Sequence, residues 1–192
     1  MTLVFASNNA HKLEEIQAFL GDRFILKTLR DMNCNEDLPE NHETIPENSL
    51  EKAQYLYDHY HVNCFADDSG LEVEALDGQP GVFSAMYAGP QRSHADNITL
   101  LLKNLGDNPN RNAQFRSVIT LVLNGQAHQF EGIIKGQIIS ELRGQGGFGY
   151  DPIFIPNGQT KTFGEMTLTE KNTNNHRTIA MSKLLEFLEG KQ

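Results

Sequence analysis

The stretch Leu3–Gly21, LVFASNNAHKLEEIQAFLG, sets the fold class of this chain. It begins with the apolar run Leu3–Ala6, which is typical of a buried strand, and continues through the polar residues Ser7–Asn9. Apolar side chains then recur at helical spacing, and Gly21 follows the last of them, which predicts a helix that ends there. These side chains are Leu13, Ile16, Phe19 and Leu20. A strand, a polar turn and a helix in this order are the opening of an α/β fold.

The alternation of predicted strands and helices continues along the chain. Strands are predicted over residues 24–29, 64–66, 115–123 and 128–139, with a hairpin turn at Asn124-Gly125. Thr44-x-x-Glu47 and Ser93-x-x-Asp96 are typical helix starts, and a last helix carries Ile179, Leu184 and Leu188. The helix after Thr44 carries apolar side chains at helical spacing, which predicts its buried face: Leu50, Ala53, Tyr57 and Tyr60. This order predicts an α/β class with a mixed sheet and flanking helices. No repeat or low-complexity tract interrupts the chain, so we predict one domain over residues 1–192.

Composition limits the partners of the protein. The chain has 192 residues with 25 acidic and 16 basic side chains, a formal net charge of −9. This charge disfavours nucleic acid and anionic membranes as partners. Two cysteines are too few for a disulfide framework, and no apolar run reaches the length of a membrane span. We therefore predict a soluble, cytoplasmic protein with no nucleic-acid or membrane partner.

A first polar cluster stands where the opening strand meets the helix. Its residues are Ser7, Asn8, Asn9, Ala10, His11 and Lys12. Free amides at a helix start, small polar side chains and a lysine suit a phosphate group. The alternative is an ordinary helix cap with a solvated lysine, because the glycines of a P-loop are missing.

A second cluster, Asp67-Asp68-Ser69-Gly70, follows the predicted strand at 64–66. Carboxylates at the end of a strand suit Mg²⁺, and the two aspartates would point to opposite faces if the strand continued. The alternative is a simple turn with an aspartate cap. The acidic segment that contains Glu40 could supply a second carboxylate, although such segments are usually solvated.

The glycine-rich stretch Gly144–Pro152 contains the pattern G-x-G-x-x-G but not the strand and helix that surround this pattern in a dinucleotide-binding site. Pro152 and a β-type run follow where a helix should open, which argues against a dinucleotide site. The glycines permit close approach of a flat ligand, and Phe148 and Tyr150 could stack on a base. A plain glycine-rich loop with its aromatic rings in the core is the alternative.

The stretch Lys171–Arg177 places two fixed cations and His176 within seven residues, ahead of the predicted last helix. Such a cluster could hold phosphate or donate hydrogen bonds to a base. The alternative is a solvated helix start on the surface.

Taken together, the clusters resemble the inosine triphosphate pyrophosphatases, the Ham1-like family, over nearly the whole chain. The first cluster matches the family's Thr/Ser-x-Asn-x-x-Lys motif, and Glu47-Asn48 with Lys52 matches a helix of the family. Asp67–Leu71 matches its Asp-Asp-Ser-Gly-Leu element. The other matching segments are Gly78-x-Pro80-Gly81, Ser84-Ala85, Phe148–Pro152 and Lys171–Arg177. Asn175 stands where the family usually has Ser, and Ser7 where many members have Thr.

The resemblance implies a fold and a reaction. The fold would be an elongated mixed sheet with flanking helices, in two lobes around a nucleotide cleft, usually in a homodimer. The reaction would be hydrolysis of ITP, dITP and XTP to the monophosphate and pyrophosphate. Mg²⁺ would be held by Asp68 and Glu40, with Asp68 and Lys52 catalytic and Asp68 accepting the proton of the attacking water. The substrate would contact the first cluster and Ser69, Phe148, Gly149, Tyr150, Asp151, Lys171, His176 and Arg177.

Two other functions compete with this one. A Maf-like nucleotide pyrophosphatase would share the chemistry but act on modified pyrimidines or ordinary triphosphates, and the His176-Arg177 element argues against it. A nucleotide sensor without turnover would be expected to lack the metal carboxylate or Lys52, and both are present.

Overall fold

The predicted strand, turn and helix at the N-terminus are present in the computed structural model, which describes residues 2–21 and 24–190. β1 (Thr2–Phe5) leads through a short turn into α1 (Ala10–Leu20). Asn9 caps α1, because its side chain accepts a hydrogen bond from the Lys12 amide. Gly21 ends the helix with a φ of 55°, a conformation that glycine adopts at little cost.

The other elements follow the predicted order. The strands are β2 (Ile25–Thr28), β3 (Cys64–Val73), β4 (Asn112–Leu123), β5 (Gln126–Ile138) and β6 (Phe154–Pro156). The helices are α2 (Ile45–Tyr60), α3 (His94–Leu105), α4 (Leu168–Thr173) and α5 (His176–Leu188). Thr44 and Ser93 cap α2 and α3, as their sequence patterns predict.

Within the described ranges, the strands form one six-stranded sheet in the order β2-β1-β3-β4-β5-β6. β1 is parallel to β2 and β3, whereas β5 and β6 are antiparallel. Asn124 and Gly125 join β4 to β5, and both have the positive φ that a tight hairpin turn requires. The predicted α/β class with a mixed sheet and flanking helices is therefore confirmed.

The chain divides into two compact units, each with its own core. The first comprises Met1–Asp68, Ser117–Gly132 and Arg177–Gln192, and the second comprises Ser69–Arg116 and Ile133–His176. In the first, one apolar cluster surrounds Phe5 and Phe65 and another surrounds Ala53 and Cys64. In the second, the core surrounds Phe115 and Phe154. A single domain over residues 1–192 and a cleft between two lobes stay predictions, and both ends of that range lie outside the described residues.

Two local predictions are wrong. A strand is predicted over residues 64–66, but β3 continues to Val73, with β4 beside it in the sheet. The spacing also predicts Leu50 on the buried face of α2, but Leu50 is exposed and Leu56 is buried instead. The apolar pattern of the sequence does not identify the buried face of α2, because that face contains the polar residues Ser49 and Lys52.

Candidate functional site

The turn between β1 and α1 leaves polar groups accessible in the first unit. Asn8, Asn9, Ala10 and His11 are exposed and Ser7 is half-buried. Ser7 Oγ accepts a hydrogen bond from the Asn9 amide at 3.1 Å, which orders the turn before the helix starts. Asn9 is thus a helix cap, as the alternative interpretation expected, and the exposed amides beside it remain suited to an anion.

Lys12 points from the first turn of α1 to Asp67. Its Nζ lies 2.8 Å from Asp67 Oδ2 and donates to the Asp67 carbonyl oxygen at 3.2 Å. The side chain is only 12% exposed, so the alternative of a solvated lysine is wrong. Burial lowers the pKa of Lys12, and the neighbouring charge of Asp67 opposes that shift.

Asp67 is the centre of a buried charged network. Arg177 Nε donates to its Oδ2 at 3.1 Å, and Ser117 donates to its Oδ1. Arg177 also pairs with Glu15 of α1. Burial opposes ionisation of Asp67, but Arg177 and Lys12 outweigh it and hold its pKa well below the usual range. Asp67 is therefore a fixed anion that orders both cations.

Lys52 connects the second aspartate to Glu40. Its Nζ donates to Asp68 Oδ1 at 2.9 Å and to Glu40 Oε1 at 2.6 Å. Burial opposes the charge on Lys52, but Asp68 and Glu40 outweigh it and raise its pKa. Lys52 Nζ also donates to the Asp67 carbonyl oxygen at 3.0 Å. The ammonium groups of Lys52 and Lys12 therefore meet at one backbone oxygen.

The Asp68 carboxylate has an oxygen available for a ligand. Among the described residues, its buried Oδ2 atom has no hydrogen-bond partner. Burial raises the pKa of Asp68, with Lys52 and Lys12 opposing the shift and Glu40 adding to it. Within residues 2–21 and 24–190, no group of three or more His, Cys, Asp or Glu residues could hold a metal ion. Two carboxylates, one with a free oxygen, fit Mg²⁺, which keeps several of its waters.

In the second unit, Asp151 orders the loop Gly147–Asp151, hereafter the glycine loop. Its Oδ2 accepts from the Phe148 amide at 2.8 Å and from Lys171 Nζ at 2.7 Å. Gly147 has a φ of 72°, and a Cβ there would collide with the Asp151 carboxylate. Only glycine fits this position.

The two aromatic residues of the glycine loop have different environments. Phe148 is half-buried, with Lys171 Nζ 5.0 Å from its ring centroid. Tyr150 is buried in the core and donates to the Ser84 carbonyl oxygen at 2.8 Å. Tyr150 is thus a core anchor, as the alternative interpretation expected, whereas Phe148 keeps part of its ring accessible.

The stretch Lys171–Arg177 is not a solvated helix start. Lys171 lies in α4, and His176 and Arg177 are the first residues of α5; all three are buried. In the second unit, the His176 ring stacks on Phe115 at 4.9 Å between centroids. Arg177 belongs to the first unit, with the Asp67 network. Residues 171–175 precede the last helix, as predicted, and His176 and Arg177 form its start.

Ser69, the remaining candidate, is a half-buried residue of β3. Sequence analysis missed Glu15 and Ser117, which complete the Asp67 network. The signal for Ser117 was available, since a hydroxyl inside the apolar run 115–123 needs a partner when the strand is buried. Glu15 gave no such signal, because a glutamate on an amphipathic helix is usually solvated.

The chain matches the sequence model of the Ham1 family over residues 3–187. It is 50% identical over 188 residues to a protein of Flavobacterium johnsoniae named dITP/XTP pyrophosphatase, and the alignment covers 98% of each chain. It is 48% identical over 187 residues to a protein of the same name from Porphyromonas gingivalis, covering 97% of this chain and 96% of that one.

Solved structures agree with these matches. The fold is similar to that of the Ham1 protein of Staphylococcus aureus, with a TM-score of 0.90, 35% identity and 100% of each chain covered. A HAM1 protein from Coxiella burnetii gives a TM-score of 0.90 at 35% identity, with 99% of each chain covered. The similarity of sequence and fold thus extends over the full length of these proteins.

Proposed function

The chain belongs to the Ham1 family, and from this premise we propose that it hydrolyses ITP, dITP and XTP to the nucleoside monophosphate and pyrophosphate. Its role would be to remove deaminated purines from the nucleotide pool. The observation that carries the proposal is the meeting of Lys12 and Lys52 at the Asp67 carbonyl oxygen. Two ammonium groups held so close together repel each other, and a polyphosphate would relieve that repulsion.

The first unit would bind the triphosphate. The exposed amides at the start of α1, together with Lys12 and Lys52, would stabilise the charge on the phosphates and on the leaving pyrophosphate. Ser7, Asn8, Asn9, Ala10 and His11 would line the phosphate position. Asp67, with Arg177 on its other side, would keep Lys12 in place.

Asp68 and Glu40 would hold Mg²⁺. When bound there, Mg²⁺ neutralises phosphate charge and orients the attacking water. Asp68 would accept the proton of that water, and a pKa above the usual carboxyl value suits this role. Lys52 holds the two carboxylates close together through its hydrogen bonds to each of them.

Residues of the glycine loop, of α4 and of the start of α5 would contact the base. Phe148 has an accessible ring for stacking, and Ser69, Gly149, Tyr150, Asp151 and Lys171 would complete the contacts. His176 and Arg177 are the proposed donors to O6, which hypoxanthine and xanthine share and adenine replaces with an amino group. Donors placed to meet O6 would favour ITP over ATP, because adenine has an amino group at that position.

We further propose a cytoplasmic homodimer. Phe83 and Met86, in the 3₁₀ helix Gly81–Met86, are 53% and 41% exposed, and the proposed interface would cover these two apolar side chains. No helix within the described ranges is long and apolar enough to cross a membrane. Sedimentation equilibrium at micromolar concentration tests this proposal. A measured molecular mass equal to that of one chain would exclude the dimer.

The decisive experiment measures pyrophosphate release from ITP, XTP, GTP, ATP and dTTP at equal concentration, with Mg²⁺ and with a chelator. We expect rapid, Mg²⁺-dependent release from ITP and XTP and little from ATP or GTP. Release mainly from dTTP or from the ordinary purine triphosphates would favour a Maf-like enzyme instead. No release from any of them would leave a nucleotide-binding protein.

Arg177→Ala tests the base contact. We expect a lower kcat/KM for ITP with the Mg²⁺ requirement intact. The ratio of kcat/KM for ITP to that for ATP is the critical value, because a loss of folded enzyme alone would not change it. An unchanged ratio would exclude Arg177 from base recognition.

A further inference from the structure

Within the second unit, the glycine loop is held by side chains of neighbouring elements as well as by its own bonds. Lys171 of α4 binds Asp151 at one end of the loop. Tyr150 donates to the Ser84 carbonyl oxygen of the 3₁₀ helix Gly81–Met86. Immediately before these two residues in the chain, the Gly149 amide donates to His94 Nδ1 of α3 at 3.3 Å. His94 thus binds the backbone next to Phe148, the residue with the accessible ring.

His94 stands on a fixed support. It is the first residue of α3, directly after the capping residue Ser93, whose hydroxyl accepts the Asp96 amide. One turn later, Asn97 is buried and donates to the Ala85 carbonyl oxygen at 3.0 Å. Asn97 also accepts from the Ala88 amide at 2.7 Å. The N-terminal turn of α3 therefore cannot shift without breaking these hydrogen bonds.

Gly149, the residue that His94 binds, lies in a segment whose backbone would be flexible without hydrogen bonds to its neighbours. Gly147 and Gly149 flank Phe148 and both have positive φ, at 72° and 60°. Glycine loses more conformational freedom on ordering than any other residue, so a loop with glycines on both sides of Phe148 would otherwise move. The hydrogen bond from Gly149 to His94 restrains one of the two, and Asp151 restrains the Phe148 amide itself. The His94 ring also lies 6.3 Å from the Phe148 ring, centroid to centroid.

We infer that His94 is a positioning residue that holds the glycine loop, through Gly149, in the conformation in which Phe148 contacts the purine base. This inference rests on the proposed function, since it concerns the same nucleotide. His94 acts through the loop backbone. Its loss should therefore weaken nucleotide binding and leave the hydrolytic step unchanged.

The test compares three variants. His94→Ala removes the acceptor, and His94→Asn puts an amide oxygen close to the position of Nδ1. His128→Ala is the matched control, because His128 is a histidine of β5 in the first unit that packs on Phe187. Neither His94 nor His128 is buried, so each variant should fold, which circular dichroism checks.

In steady-state kinetics with ITP, we expect His94→Ala to raise KM about three- to tenfold, the effect of one lost hydrogen bond, with kcat within about twofold. His94→Asn should restore KM, and His128→Ala should leave it unchanged. A merely structural role for His94 would not give this split between KM and kcat or the rescue by Asn. An unchanged KM in His94→Ala, or a fall in kcat alone, would overturn the inference.

Hydrogen exchange of the Gly149 amide, followed by NMR in the ligand-free protein, gives a measurement that needs no activity. Exchange should be about three- to tenfold faster in His94→Ala and return to the wild-type rate in His94→Asn. Unchanged exchange would overturn the inference even if ITP is hydrolysed as proposed. If wild-type protein hydrolyses no triphosphate, the proposed function fails, and with it the role of His94 toward the base.

Discussion

Asp67 and Asp68 are consecutive residues of β3 whose carboxyl pKa values shift in opposite directions. Burial disfavours the charged form of both, but Arg177 and Lys12 outweigh burial at Asp67 and lower its pKa. At Asp68, Lys52 and Lys12 do not outweigh burial, and Glu40 adds to the upward shift. The pleat of the strand sends the two side chains to opposite faces. One aspartate is therefore fixed in a charged network, and the other is left available for chemistry.

Asp68→Asn should abolish turnover and preserve the fold. We expect kcat for ITP to fall by about 10³-fold, because the variant loses both the proton acceptor and a ligand for Mg²⁺. The fold should be preserved with a small fall in melting temperature, because Lys52 loses its ion pair with Asp68 but keeps the one with Glu40. Pyrophosphate release and thermal unfolding check the two expectations. Activity within tenfold of wild type would remove Asp68 from the mechanism.

Asp67→Asn should instead destabilise the protein. The substitution leaves Arg177 and Lys12 buried without their shared anion, and breaking a buried ion pair in this way costs about 3–5 kcal/mol. Urea unfolding measures the change in the free energy of unfolding. Asp77→Asn is the matched control, because Asp77 is exposed and asparagine also tolerates its positive φ. Equal free energies of unfolding for the two variants would show that the Asp67 network does not stabilise the fold.

Much of the fold follows from local sequence. The periodicity and the capping patterns gave α1, α2 and α3, and Asn124-Gly125 gave the hairpin, because each is determined within a few residues. The course of β3 did not follow, since Asp67–Gly70 has the composition of a turn. It is part of a strand because β4 lies beside β3 in the sheet and because Lys12, Arg177 and Lys52 neutralise its carboxylates. These partners come from distant parts of the chain.

The sequence predicted which residues form the candidate site better than it predicted the partner of each residue. The clusters named Lys12, Asp67, Asp68, Glu40 and Arg177, and the family resemblance added Lys52. The first unit brings these six residues together. Their pairing was not predictable, because it depends on which face of a helix or strand meets which neighbour. Arg177 illustrates this point, since a solvated cation and a buried partner of Asp67 and Glu15 have the same sequence signature.

Glu40→Gln should raise the Mg²⁺ concentration needed for half-maximal activity by about tenfold, with a small change in kcat at saturating Mg²⁺. An amide is a weaker ligand than a carboxylate for a hard cation. Glu43→Gln is the control, because Glu43 is an exposed glutamate of the same acidic segment. Titration of activity with Mg²⁺ at fixed ITP gives the values. If both variants respond as wild type does, the second carboxylate lies elsewhere.

The thiol of Cys64 should ionise at a much higher pH in the folded protein than in the unfolded protein. Burial raises the pKa of Cys64 to about 12, and its Sγ donates to the Ala53 carbonyl oxygen at 3.3 Å. An unfolded thiol ionises near pH 8.5, so the native state holds this proton more tightly over the interval up to about pH 12. Its contribution to stability is complete below about pH 8.5 and declines above it, by about 1.4 kcal/mol for each pH unit.

Two measurements in a Cys34→Ala background check this expectation. Native protein should resist alkylation by iodoacetamide at pH 8.5, whereas protein in denaturant should react at once, because the thiolate is the reactive form. The free energy of unfolding should fall more steeply between pH 8.5 and 10.5 than it does when Cys64 is also replaced by alanine. Subtracting the two curves removes the titration of lysines and tyrosines, which both proteins share. Parallel curves, or rapid alkylation of the native protein, would show that Cys64 ionises as an ordinary accessible thiol.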